Sequence, residues 1–273
     1  AHAAPGALRI QIVVDDPHGG YVGGTSKTYA GSYDCGGVAG TYDTARTNAP
    51  VTIADVPEGA ICTVTPALPA GSLLNASFSW ATPTTSPEEV TIGDAETATI
   101  VVTHPVAQSF ATFSVSKAVD GPGGYTGGTD RVFPIGCTCT LTNGPTTSNT
   151  LLPAIGTAAV SPAIPVGSVC TFTETLAAQP GDFADVSYVW SGWSAEPSSL
   201  TVAEGARAVV TNAYVRETGE LVVAKTVEGA GYLGEGAPFL FDYDCDGTTG
   251  RIAVAAGSTG SAAVPARIEC TVK

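Results

Sequence analysis

Three polar residues of the chain could together form an amide crosslink between two side chains. Lys117 lies on the apolar side of an alternating segment that runs from Phe113 to Val119, and Glu174 and Asn212 follow at equivalent depth. Loss of hydration lowers the pKa of a lysine and makes its amine a better nucleophile. A carboxamide is an electrophile, and a buried, protonated glutamic acid can polarise its carbonyl and shuttle the proton. This set therefore predicts a bond between Lys117 and Asn212, with Glu174 assisting and ammonia leaving.

The same three residues also have an ordinary structural interpretation. A lysine near a strand end can extend its amine to water along its apolar stem. Glu174 can be an exposed strand residue, and Asn212 can form a turn at the end of a domain. Residue types alone leave both interpretations open. Lys225 repeats the position of Lys117 in a later unit, which favours the crosslink and makes Lys225 a possible further crosslinking residue.

An internal repeat organises the chain. The pentapeptide Tyr-Val-Gly-Gly-Thr at 21–25 recurs as Tyr-Thr-Gly-Gly-Thr at 125–129, and a looser copy begins at Tyr232. The spacing predicts three units, at residues 1–107, 108–216 and 217–273. The first two have the size of ordinary domains. We expect the third to be partial and to be completed by residues beyond Lys273 or by another chain.

Composition and periodicity predict an all-β chain. Thr, Val, Ala, Gly and Ser dominate, and Gly or Pro interrupts the sequence about every ten residues, as in short strands joined by turns. Segments such as 113–119 and 239–245 alternate between apolar and polar residues, which is typical of half-buried strands. Short linkers are expected at about 105–111 and 214–220, so the array should be extended and semi-rigid.

Six of the seven cysteines recur at two positions of each unit. A repeated disulfide explains this pattern better than chance does, and disulfides persist in oxidising surroundings, so we expect an exported protein. The predicted pairs are Cys35 with Cys62, Cys139 with Cys170, and Cys245 with Cys270. Cys137 is left over; it is a small buried residue or an alternative partner in the bridge of Cys139.

Composition also excludes several classes of function. The net charge is −14, with 11 Lys and Arg against 25 Asp and Glu, which argues against nucleic acid and anionic membranes as partners. The apolar runs are too short for a membrane-spanning helix. No cysteine, histidine or carboxylate spacing supports a metal site or a cofactor, and nothing resembles the residue set of an enzyme. We expect His104, which closes a strand, to be solvated or hydrogen-bonded.

Three segments of the second unit resemble a known family. They are Val-Ser-Lys-Ala-Val at 115–119, Val-Gly-Ser-Val-Cys-Thr-Phe-Thr-Glu-Thr at 166–175, and Val-Val-Thr-Asn-Ala-Tyr at 209–214. They resemble the Cna-B-type (SpaA-like) domains of Gram-positive surface proteins, and more closely the disulfide-containing repeats of actinobacterial cell-wall proteins. The resemblance implies tandem Ig-like β-sandwich domains. It also implies an internal isopeptide bond, with the roles falling on Lys117, Asn212 and Glu174.

The first unit departs from this pattern at all three positions. The lysine position holds Ile12, or Val13 if no gap is allowed, the glutamate position holds Pro66, and the asparagine position holds His104. Joint absence is expected of groups that act as a unit, because a buried Lys or Glu without its partners would destabilise the fold. We therefore expect no crosslink in the first unit.

The sequence and the resemblance together predict an exported, cell-surface structural or adhesive stalk without enzymatic activity. Its partners would be further repeats of the same protein or neighbouring subunits. Two other functions stay open at this point. One is a ligand-binding adhesin module for a glycan or a host protein, and the other is a filament or pilus subunit that a neighbouring chain completes.

Overall fold

The computed structural model describes residues 4–175, 179–232 and 236–273. Those residues form β-strands, turns and loops, and none of them lies in a helix. The alternation of apolar and polar residues appears directly in the strands, whose side chains alternate between buried and exposed. The prediction of an all-β chain of tandem β-sandwiches is confirmed.

The first unit consists of two sheets that face each other across a hydrophobic core. Its strands are β1 (Gly6–Asp15), β2 (Tyr29–Asp34), β3 (Ala39–Ala45), β4 (Val51–Val56), β5 (Ile61–Pro66), β6 (Phe78–Trp80), β7 (Thr84–Ser86), β8 (Glu89–Thr91) and β9 (Thr97–Gln108). One sheet has the order β4-β1-β9-β6 with β7 also on β9, and the other has the order β3-β2-β5-β8. The first and last strands, β1 and β9, are parallel neighbours.

The second unit repeats this arrangement. Its strands are β10 (Phe110–Ala111), β11 (Ser114–Asp120), β12 (Ile135–Thr140), β13 (Thr146–Leu151), β14 (Ala159–Val160), β15 (Ile164–Pro165), β16 (Val169–Glu174), β17 (Tyr188–Glu196), β18 (Ser199–Thr201) and β19 (Arg207–Arg216). The sheets have the orders β14-β11-β19-β17 and β13-β12-β16-β18, with a small pair formed by β10 and β15. Here β11 and β19 are the parallel neighbours.

The third unit has fewer strands. They are β20 (Thr218–Lys225), β21 (Phe239–Cys245), β22 (Thr248–Val254), β23 (Ser258–Pro265) and β24 (Thr271–Val272). Strand β20 pairs with β23, and β21 lies between β22 and β24. Lys225 lies at the end of β20, opposite Ser258 of β23.

Strands occupy most of the two segments that the sequence predicts to be linkers. Strand β9 continues to Gln108 and β10 begins at Phe110, and β19 and β20 are likewise one residue apart. The single residue at each junction is held by the same backbone bond: Ser109 donates to the Ser77 carbonyl and Glu217 to the Ser187 carbonyl, both at 2.8 Å. The following unit donates back to the same residue, from Val166 to the Ser109 carbonyl at 3.0 Å and from Ala266 to the Glu217 carbonyl at 2.9 Å. Both junction residues are therefore hydrogen-bonded to the units on either side, and the stiffness of the array stays a prediction.

A disulfide joins two neighbouring strands or their ends in every unit. The bonds are Cys35–Cys62, Cys139–Cys170 and Cys245–Cys270, the pairs that the repeat predicts. Cys139 and Cys170 are direct partners in the pairing of β12 with β16. The two disulfides of the first and second units are buried in the cores.

Replacing Cys35 and Cys62 by alanine should destabilise the first unit. The bond closes a loop with a sequence separation of 27, and losing such a loop constraint costs about 3 kcal/mol in the free energy of unfolding. Native-state hydrogen exchange of peptides from β1 and β9 measures this loss, with peptides from β11 and β19 as the control in the same sample. Unchanged exchange in β1 and β9 would contradict the prediction.

Candidate crosslink site in the second unit

Strand pairing brings Lys117 and Asn212 onto the same inner face of one sheet. In the parallel pair of β11 and β19, Lys117 lies beside Val210 and Val119 lies beside Asn212. Alternate residues of a strand share a face, so the lysine points into the sandwich next to the asparagine. Asn212 lies in the middle of β19 and not in a turn at the end of a domain.

Glu174 reaches the same place from the opposite sheet. It is the last residue of β16 and lies opposite Ile135 of β12. The side chains of Lys117 and Glu174 are 0% and 2% exposed, and Asn212 is 0% exposed. The three groups are almost fully buried, so the interpretation of exposed strand ends and a surface turn does not describe them.

The three side chains form a closed set of contacts. Lys117 Nζ contacts Asn212 Oδ1 and lies 3.1 Å from Glu174 Oε2. Asn212 Nδ2 donates to the other carboxylate oxygen, Glu174 Oε1, at 2.7 Å. Lys117 Nζ also lies 3.4 Å from the Val210 carbonyl oxygen. The carboxylate therefore bridges the lysine nitrogen and the carboxamide nitrogen.

Burial sets the electrostatics of this set. Desolvation lowers the pKa of the Lys117 amine, while the hydrogen bond and the charge of Glu174 act in the opposite direction. A charged pair in a water-free core is stabilised by its partners alone. The same pair can become neutral when one proton moves from the lysine to the glutamate, and the resulting amine is the form that attacks a carbonyl carbon.

Phe133 is a member of the site that the sequence analysis did not single out. It is 3% exposed, and Lys117 Nζ lies 4.8 Å from the centroid of its ring. The Arg131 guanidinium lies 5.0 Å from the same ring, and Arg131 pairs with the buried carboxylate of Asp182 at 2.8 Å. The ring covers the lysine nitrogen and excludes water from it.

The spacing of aromatic residues in the repeat marks the position of this ring. Phe133 lies eight residues after Tyr125, and Tyr29 lies eight residues after Tyr21, so an aromatic ring occupies the position in both units. In the third unit Lys225 Nζ lies 4.8 Å from the ring centroid of Phe239. Lys225 is half-buried, and its role as a further crosslinking residue stays a prediction.

The corresponding place in the first unit holds no lysine, glutamate or asparagine. Ile12 lies beside Val102 as Lys117 lies beside Val210, so Ile12 and not Val13 occupies the lysine position. His104 occupies the asparagine position. The expectation that His104 is solvated or hydrogen-bonded is wrong: it is 0% exposed, and neither ring nitrogen has a hydrogen-bond partner. The reason is that β9 continues past this residue to Gln108, and the alternate side chains that include His104 point into the core.

Cys137 is a free, buried thiol. It lies on β12, two residues before Cys139, and is 2% exposed within the core of the second unit. Burial raises the pKa of this thiol to about 11. The same position holds Tyr33 in the first unit and Tyr243 in the third. Cys137 therefore fills a packing position and does not replace Cys139 in the disulfide.

Two other kinds of site were sought among the described residues. In those ranges no group of three or more His, Cys, Asp or Glu side chains is placed to hold a metal ion. Within the same ranges no helix is long and apolar enough to cross a membrane.

The sequence matches one family model over nearly its whole length. The family is described as "Domain of unknown function (DUF5979)", and the matches cover residues 8–107, 113–215 and 221–273. Comparison with curated proteins gives no match.

Solved structures with similar folds come from Gram-positive surface proteins. The Bacillus anthracis TIE protein is 13% identical, with a TM-score of 0.42 over 99% of this chain and 45% of its own, so this chain spans less than half of it. Two B repeats of the Staphylococcus aureus collagen-binding protein are 14% identical, with a TM-score of 0.36 over 98% and 68%. The Streptococcus pyogenes major pilin T3.2 is 11% identical, with a TM-score of 0.31 over 80% and 99%.

Cys137 should resist alkylation until the chain unfolds. Its burial and its pKa of about 11 leave little thiolate in contact with solvent at pH 8. Treatment of the non-reduced native chain with iodoacetamide should add no label, and treatment in denaturant should add one label per chain by intact mass. The Cys137→Ala variant should take up no label in either condition. Labelling of the native chain at the rate of a free thiol would contradict the buried placement.

Proposed function

We propose that this chain, which belongs to the DUF5979 family, is an exported cell-surface stalk of tandem β-sandwich repeats whose second unit is closed by an amide bond between Lys117 and Asn212. The observation that carries the proposal is the position of Glu174. Its two carboxylate oxygens lie against the nitrogen that would attack and the nitrogen that would leave.

The proposed reaction begins with a proton transfer inside the core. One proton passes from the Lys117 ammonium to Glu174 Oε2, which leaves a neutral amine and a neutral carboxylic acid. Burial favours this transfer because desolvation disfavours the charged form of the lysine. The amine then attacks Cγ of Asn212, and Phe133 keeps water away from the nitrogen during the step.

The leaving group is ammonia. The bond between Nζ and Cγ forms and the bond between Cγ and Nδ2 breaks. Glu174, whose Oε1 lies 2.7 Å from Nδ2, gives its proton to that nitrogen and takes through Oε2 the second proton that Nζ must lose, so the carboxyl group ends the reaction protonated. Glu174 contacts the carboxamide nitrogen and not its oxygen, so the geometry supports the shuttle role rather than polarisation of the carbonyl. The chain loses one ammonia and gains one amide bond, and no external reagent is consumed.

The bond would join the first long strand of the second unit to its last. Strands β11 and β19 are parallel neighbours, and each continues toward a junction with an adjacent unit. Pulling force applied at the two junctions would then pass through covalent bonds, because the Lys117 to Asn212 link bypasses the rest of the sandwich. The chain between these residues could not extend without bond cleavage, which gives kinetic resistance to force and proteolysis.

The disulfides support the extracellular part of the proposal. Three such bonds, one in each unit, require oxidising surroundings. Hydrogen-bonded junctions between units support a stalk, since they limit the independent tumbling of neighbouring domains. Partners of a stalk would be further repeats or neighbouring subunits.

Intact mass of the non-reduced chain tests the crosslink. We expect the wild type to be lighter than its sequence by one ammonia, beyond two hydrogens for each disulfide. Lys117→Arg, Glu174→Ala and Asn212→Ala should each keep the full mass, because each variant lacks the nucleophile, the proton shuttle or the electrophile. Tandem mass spectrometry of a digest should show the peptides of 117 and 212 joined.

Lys225→Ala is the matched control, since it removes the repeated lysine from another unit and should leave the loss of one ammonia intact. A wild-type chain that lacks only the disulfide hydrogens would overturn the crosslink. An ammonia loss that persists in Lys117→Arg would place the bond elsewhere.

A further inference from the structure

The core of the first unit contains a buried histidine that the proposed crosslink does not use. His104 lies on β9 at the position that Asn212 holds on β19, and it is 0% exposed. Its ring stacks on Tyr29 with centroids 4.6 Å apart and an interplanar angle of 24°. Trp80 of β6 meets the ring edge-on at 6.3 Å. We call His104, Tyr29 and Trp80 the His104 cage.

The cage is closed by further packing. Tyr29 is 2% exposed, its hydroxyl donates to the Tyr21 hydroxyl at 3.2 Å, and its ring meets Trp80 at 6.3 Å. Trp80 Nε1 donates to the Gly71 carbonyl at 2.9 Å. Neither nitrogen of His104 takes part in these bonds, and both lack a partner. The imidazole is therefore held by ring packing alone.

The charges around the cage disfavour protonation of His104. Lys27, from the loop before β2, acts on the charge of His104, and Tyr29 of β2 stacks on its ring. Lys27 Nζ lies 5.7 Å from the Tyr29 ring and donates to the Ala70 carbonyl. Beside His104, β1 presents Val14, and β6 presents an indole, neither of which titrates. The carboxylate of Asp16, two residues after Val14, accepts from the backbone amides of Gly20 and Tyr21 at 2.9 and 2.8 Å, and neither imidazole nitrogen pairs with it. A protonated imidazole would thus lie near a cation and have no carboxylate as a hydrogen-bond partner.

We propose that the His104 cage is a proton-sensitive lock on the first unit. With a neutral imidazole the ring stack closes the core between the two sheets. A protonated imidazole is an unpaired buried charge without a hydrogen-bond acceptor, so the ring must leave the stack to reach water. Acid then loosens the first unit, while the second unit has no histidine in its core.

The direction of the pH effect follows from burial. Desolvation, with a smaller contribution from Lys27, lowers the pKa of His104 from 6.5 to about 4. The unfolded chain therefore binds a proton below about pH 6.5 that the folded unit refuses until about pH 4. Stability is complete above pH 6.5 and is lost as the pH falls through this window, with the folding equilibrium constant of the first unit reduced about 30-fold at pH 5.

Native-state hydrogen exchange of the full chain between pH 7.5 and 4.5 tests the lock, after correction for intrinsic exchange rates. Peptides from β1 and β9 should lose protection on acidification, and those from β11 and β19 should lose far less. His104→Leu should flatten the dependence in β1 and β9. His104→Gln is a second variant that does not titrate, should the leucine not pack.

His18 provides the matched control because it is exposed and lies in the same unit. His18→Gln should keep the wild-type pH dependence. The imidazole proton resonances should assign His104 a midpoint near pH 4. Equal pH dependence in wild type and both His104 variants, or titration of His104 near 6.5 in the folded chain, would overturn the lock and leave the crosslink of the second unit untouched.

Discussion

The water-free space between the two sheets constrains every polar group placed in it. A group at that depth must have partners, stay neutral or react, because solvent cannot stabilise its charge. The second unit meets this constraint with three mutually bonded side chains, Lys117, Glu174 and Asn212. The first unit meets it at the same depth with a neutral imidazole between aromatic rings. Both arrangements depend on one inner position of the last strand.

The polar sites of the first and second units share one aromatic position. Phe133 covers the lysine nitrogen in the second unit, whereas Tyr29 stacks on His104 in the first. Because Ile12 is shorter and apolar, no lysine from the first strand reaches the Tyr29 ring, and the imidazole stacks on that ring instead. The ring is therefore a shared scaffold, and the residues on the first and last strands decide what it shields.

The sequence contains enough information to predict much of this arrangement. Period-two alternation marks the inner face of each strand and so predicts that Lys117 faces the core. The recurrence of cysteines at two positions of each unit predicts the disulfide pairs. The cysteines recur at equivalent positions in all three units and the lysine in two of them, and each recurrence supports the same prediction. The candidate crosslink residues stand out in the sequence because a lysine is unusual on an apolar face. Phe133 does not stand out, since an aromatic residue in a β chain indicates only packing.

Other features depend on contacts that alternation does not encode. The burial of His104 follows from how far β9 extends, and strand ends are set by pairing with β1, β6 and β7 rather than by local residue types. The linkers became strands for the same reason, because Ser77 and Ser187 supply carbonyls that hold the next segment. Continuity of β9 as far as the junction also means that His104 and the chain leaving the first unit belong to one strand.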